Sequence, residues 1–146
     1  MNVSEVDVRI DPGIEADKSR PGLFWFAAAC TGMTLLLILA GGFVTTTATG
    51  DTIPTWPHWW GRLSGGMWVE WTHRAVAGTL GLMVLALAIV LQRSDSRGWV
   101  RRLGWLAFTA VVVQALLGGL RVYLFIPKAT AIIHATLAQA IFCTMT

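Results

Sequence analysis

Four ionisable side chains stand where the surrounding sequence is apolar: Glu70, His73 and Arg74 close together, and His134 far along the chain. The amide Gln114 lies in another apolar run and needs partners there. An ionisable group placed in a bilayer costs about 2.5–3.5 kcal/mol even on lenient insertion scales, so each such residue points to a function. His73 comes about four residues into one apolar run and His134 about five into another, roughly 6 and 8 Å deep at the helical rise of about 1.5 Å per residue. Both runs begin on the same side of the membrane, so the two histidines share a depth. Neutral imidazole is a good axial ligand, and two of them on different helices are suited to grip one iron from both faces of a flat macrocycle.

The neighbours suit a flat ligand. His73, Ala77 and Gly81 recur every four residues along one stripe, as do His134 and Ala138. Small residues at this spacing often let membrane helices pack closely. Beside two depth-matched histidines they read instead as a slot. Glu70 is three residues from His73 and four from Arg74, so all three share a helix face. Two readings of Glu70 stand. It is a structural ion-pair partner of Arg74, or a proton-handling carboxyl beside the metal. His58, within Pro57-His58-Trp59-Trp60, reads as an interfacial residue. Arg121 and Lys128 at the same mouth suit either ordinary helix-end anchoring or the acidic groups of a porphyrin. The sequence carries no zinc-ligand spacing, nucleophile elbow or phosphate-binding glycine loop.

These residues must be held by elements, and the composition says which kind. The chain has 146 residues, of which 55% are hydrophobic and 13% charged, with a mean hydropathy of +0.62. A soluble domain carries about 25% charged residues, so a cytosolic enzyme, a nucleic-acid binder and a disordered tail are all excluded. The net charge of +3 is no nucleic-acid footprint, because the basic residues lie at the ends of apolar segments. A transmembrane helix needs about 20 apolar residues. Four segments approach that length, at about 23–44, 68–91, 103–125 and 129–146, the third reaching back towards Trp99. Their continuous apolarity favours helices over barrel strands. The expected fold is an all-α integral membrane four-helix bundle formed by residues 21–146, with residues 1–20 as a charged cytoplasmic tail. That tail lacks the cleavage site of a signal peptide.

Basic flanks set the orientation. Arg9, Lys18, Arg20, Arg93, Arg97, Arg101 and Arg102 fall on one side, against Arg62, Arg121 and Lys128 on the other, with Arg74 just inside a helix. Both termini are therefore expected in the cytoplasm. The loop from Thr45 to Met67 then faces outward. Trp56, Trp59, Trp60, Trp68 and Trp71 crowd the outer boundary, where amphipathic rings favour the membrane–water interface. Cys30 and Cys143 lie inside apolar runs and read as buried small hydrophobes, not as a disulfide.

The sequence resembles the heme A synthases of respiratory membranes. The resemblance is carried by Gly41-Gly42-Phe43-Val44-Thr45 leading to Pro54-Thr55-Trp56-Pro57, by Glu70-Trp71-Thr72-His73-Arg74, by Gln114-Ala115-Leu116-Leu117-Gly118-Gly119 and by His134, in that order, from about Gly22 to the end. It implies an oxidoreductase that converts a methyl group of heme o to the formyl group of heme a for terminal oxidases. Such proteins have two similar four-helix halves, each holding a heme by a histidine pair. By motif, His73 and His134 would ligate the iron of heme o in the N-terminal half, with Arg74 and Gln114 in the heme-binding set and Glu70 as the catalytic carboxylate. Heme b would belong to the other half. Expected partners are heme o, the lipid bilayer, a heme o synthase and an electron acceptor, in the plasma membrane of a prokaryote.

The chain departs from that pattern in three ways. It holds one half, its last apolar segment ends at Thr146 without a basic flank, and its outer loop has no cysteine pair. An N-terminal fragment is the expectation, with a homodimer rebuilding eight helices as the alternative. A non-enzymatic four-helix cytochrome or heme-handling module is the competing function. A plain membrane scaffold whose histidines only hydrogen-bond across helices is the third reading.

Overall fold

In a computed structural model, residues 21–47, 67–124 and 129–146 are described, with the backbone alone for 122–124. Four helices run α1 (Pro21–Thr46), α2 (Met67–Ser94), α3 (Gly98–Leu124) and α4 (Ala129–Met145), and no strand occurs among the described residues. The all-α expectation holds. Helices α1 to α3 are long and apolar enough to cross a membrane, and α4 is a shorter apolar helix. At 17 residues α4 is about 26 Å long, close to the hydrocarbon thickness of about 30 Å. The first three helices run a few residues past the apolar segments at most of their ends, because helical hydrogen bonding continues into the polar boundary after hydropathy has fallen.

Local chemistry explains the ends. Pro21 opens α1, where a missing N–H and a fixed φ cost nothing. Glu70 lies in the first turn of α2 and Arg93 in its last, each of the sign the helix dipole favours. Between α2 and α3 the chain turns in three residues. Asp95 Oδ1 accepts from the backbone N–H of Arg97 at 2.9 Å, and the Arg97 guanidinium returns to both carboxylate oxygens at 3.1 and 2.8 Å. That is an Asx turn closed by a two-pronged ion pair. The same guanidinium lies 5.7 Å from the centre of the Trp99 ring.

Around the bundle α1 packs on α2, α2 on α3, α3 on α4 and α4 on α1, which sets α2 and α4 on one diagonal. Tight packing is concentrated towards the α2–α3 turn. Cys30, Leu80, Val84 and Ala107 are buried together, with Phe26, Leu37, Met83, Phe108 and Val111 against them. Gly104 permits the close approach of α3 to α2: a Cβ there would lie 3.4 Å from the Ala88 Cα and 3.0 Å from Leu91 Cδ1. At the lower end of α4, Thr31 Oγ1 donates to the Met145 carbonyl at 3.0 Å, and Thr34 Oγ1 reaches Met145 Sδ at 3.4 Å. Large apolar side chains such as Trp25, Leu39, Leu82, Leu106 and Ile132 point outward, as a lipid-facing surface requires.

Candidate functional site

His73 is the seventh residue of α2 and His134 the sixth of α4, similar distances from their helix starts. They stand on diagonal helices. Each ring lies against a glycine of the preceding helix. A Cβ on Gly41 of α1 would meet His73 Cε1 at 3.2 Å, Nδ1 at 3.8 Å and Nε2 at 4.0 Å. A Cβ on Gly118 of α3 would meet the same three atoms of His134 at the same three distances. The two glycines therefore hold their rings in equivalent seats. Both Nδ1 atoms are buried without a hydrogen-bond partner.

The remaining polar groups gather at the same end. Glu70 is 4% exposed and accepts from Arg74 Nη2 at 2.5 Å, one helical turn away. It is the one acid in the four helices. The ion pair that one of the two readings of this spacing required is present. Gln114 Nε2 donates to the backbone carbonyl of His134 at 2.6 Å, tying α3 to α4 at the histidine itself. The small-residue stripe holds only in part. Gly81 faces Val111 of α3 at 3.9 Å, because a four-residue step overshoots a turn by about 40° and two steps have rotated about 80° from His73. His58, Arg62, Lys128, Trp56, Trp59 and Trp60 lie outside the described residues. Trp68 and Trp71 meet edge to face, 6.1 Å between centres.

Sequence reasoning missed the role of Gly41 and Gly118. One signal was available: a Gly-Gly pair lies near the end of each helix that precedes a histidine helix, at 41–42 and at 118–119.

Among the described residues no group of three or more His, Cys, Asp or Glu forms an all-protein metal centre. Two imidazoles alone are an incomplete ligand set for a bare ion, but they complete a porphyrin iron, whose other four ligands are ring nitrogens. Two histidines on diagonal helices, each seated against a glycine without a Cβ, fit that group.

Comparison with known proteins points the same way. The sequence profile described as cytochrome oxidase assembly protein, COX15-CtaA, matches residues 64–146. The heme A synthase of Exiguobacterium sibiricum is 33% identical over 100 residues, covering 64% of this chain and 34% of that protein. The heme A synthase of Geobacillus kaustophilus is 36% identical over 110 residues, 66% of this chain and 32% of that one. A protoheme IX farnesyltransferase of Haloarcula marismortui is 36% identical over 97 residues, 64% of this chain and 21% of that one. The chain thus spans about a third of the length of the heme A synthases it matches, and less of the farnesyltransferase. No solved structure matches it.

Proposed function

The chain belongs to the COX15-CtaA family of cytochrome oxidase assembly proteins, that of the heme A synthases, and from that premise we propose that its bundle is the half that receives heme o. The observation that carries this reading is the pair of equivalent histidine seats on diagonal helices. His73 and His134 would hold the iron, each as a neutral imidazole ligand. Turning a methyl into a formyl group removes four electrons and adds one oxygen atom, so an electron acceptor outside the bundle completes the reaction.

Glu70 is the residue of this chain suited to take up protons released at the methyl group, and Arg74 holds its carboxylate in place. Gln114 fixes the height of His134 by holding that residue's carbonyl. The substrate comes from farnesylation of protoheme, the reaction named for the Haloarcula relative, so a farnesyltransferase is the expected upstream partner. The excess of basic residues at the tail and the α2–α3 turn supports cytoplasmic termini in a prokaryotic plasma membrane, with the tryptophan-rich loop outside.

A second reading keeps the heme and drops the catalysis: a four-helix heme-handling module. The burial of Glu70 against Arg74 favours it, because that geometry also describes a purely structural pair. Glu70→Gln in a heme A synthase that carries this half separates the two. Heme a formation lost with heme binding intact supports catalysis; unchanged heme a formation assigns Glu70 to structure. For the site as a whole, purified chain loaded with heme is expected to give a low-spin, bis-histidine spectrum. The same heme content in a His73→Ala, His134→Ala double variant would refute it.

A further inference from the structure

A helical glycine costs about 1 kcal/mol relative to alanine, so a glycine within a helix invites the question of what its missing methyl makes room for. Gly32 and Gly42 have nothing within 4 Å of where a Cβ would lie. Gly104 serves the approach of two backbones. Gly41 and Gly118 differ from these three, because the nearest atoms to each belong to an imidazole ring and to nothing else within 4 Å. The contact is tight, 3.2 Å to Cε1 in both cases, and lies on the ring carbon between the two nitrogens. A methyl there would press on the edge of the ring next to Nε2. The ring would tilt or rotate about its Cβ–Cγ bond, and Nδ1, buried and without a hydrogen-bond partner, offers no bond to resist.

We infer that Gly41 and Gly118 are positioning residues for the histidine pair, setting the tilt of each imidazole by the absence of a side chain. Metal-bound histidines are usually oriented by a hydrogen bond from the second ring nitrogen. Here neither Nδ1 has one, and the orienting surface is the bare helix face at each glycine. The inference rests on the reading of His73 and His134 as iron ligands. It goes further in naming what fixes their geometry, and in making the two seats equivalent although their helices differ in sequence.

The test titrates the purified chain with ferric protoheme as wild type, Gly41→Ala, Gly118→Ala and Gly42→Ala, the last adding a methyl where space is open. Both seat variants are expected to weaken protoheme binding about tenfold, the lower end of what loss of an orienting contact costs. Both are expected to move the low-spin electron paramagnetic resonance signal, with Gly42→Ala matching wild type. Wild-type affinity and signal in both seat variants would overturn the inference. A second measurement guards against a general packing defect. In the heme-free protein, Gly41→Ala is expected to lower the thermal midpoint of wild type but not of His73→Ala, where no ring remains to be pressed. Equal losses in the two backgrounds would make Gly41 a packing residue and also overturn it. If wild type itself takes up no protoheme, the ligand reading fails, and the inference falls with it. Normal wild-type uptake with unaffected seat variants sinks the inference alone.

Discussion

In the hairpin of α1 and α2, the residues three before and one after the histidine are Glu70 and Arg74, a buried ion pair; in the hairpin of α3 and α4 the same places hold Ala131 and Ala135. The seats are alike, glycine against imidazole at matching distances. What ties each hairpin differs as well. His134 has its carbonyl held by Gln114 from the neighbouring helix, whereas the corresponding place on α1, four residues before Gly41, is the apolar Leu37. Shared geometry with unshared surroundings separates two tasks. Holding a flat ring between two imidazoles needs only the common part. Treating its two faces differently needs the acid and the base that one hairpin alone carries, so reactivity is expected on the His73 side.

The largest expected effect tests the shared part. His73→Ala and His134→Ala should each abolish the low-spin spectrum, and together should abolish heme uptake, read by absorption after loading. A low-spin spectrum surviving in either single variant would break the equivalence of the hairpins. Next comes the unshared ion pair. Arg74→Met leaves the Glu70 carboxylate buried without its guanidinium and is expected to destabilise the protein by about 3–5 kcal/mol. Adding Glu70→Ala should recover part of that loss, read as thermal midpoints of the single and double variants. Gln114→Ala should cost about 1 kcal/mol, the worth of one hydrogen bond, and should speed amide exchange in 129–138 without touching 67–74. Exchange rising equally in both segments would mean that the tether is not confined to one hairpin.

The smallest effect lies at the turn that joins the hairpins. The Arg97 guanidinium and backbone N–H lower the Asp95 carboxyl to about 2, from an ordinary value of about 3.9. A folded-state value below the unfolded one stabilises at pH above the unfolded value, and that stabilisation is lost as pH falls through the folded value. Asp95→Asn should therefore lower the midpoint by a near-constant amount above about pH 5, and the gap should close between about pH 4 and 2. The Arg97 side chain is half exposed to water, so about 0.5 kcal/mol is expected. A gap unchanged down to about pH 1 would assign the effect to something other than the carboxylate charge, since asparagine keeps the turn hydrogen bond.

Helix number, type and approximate length were legible because continuous apolarity over some 20 residues has few structural solutions. So were the candidate residues Glu70, His73, Arg74, Gln114 and His134, since polar groups in such runs stand out. Which way each helix turns was not legible. A helix that is apolar all round shows no stripe to mark its inner face, so nothing in Leu37-Ile38-Leu39-Ala40-Gly41-Gly42 tells Gly41 from Gly42. Only the neighbour across the interface does. The stripe through Gly81 failed for a related reason: residue spacing describes one helix, whereas a slot belongs to two or more.

The buried cluster of Cys30, Leu80, Val84 and Ala107 begins about 10 Å along α2 from His73, seven residues at the helical rise. Cohesion and occupancy are thereby divided between the two ends of the bundle. The packed end is held by contacts among its own side chains, so on the proposed reading the receptacle would exist before a heme arrives. In the empty protein, amide exchange should be slow through 80–91 and 104–111 and fast through 67–74 and 129–135, with loading slowing only the second set. On the proposed reading, heme uptake would then be a local ordering event at a rim and not a second folding of the whole.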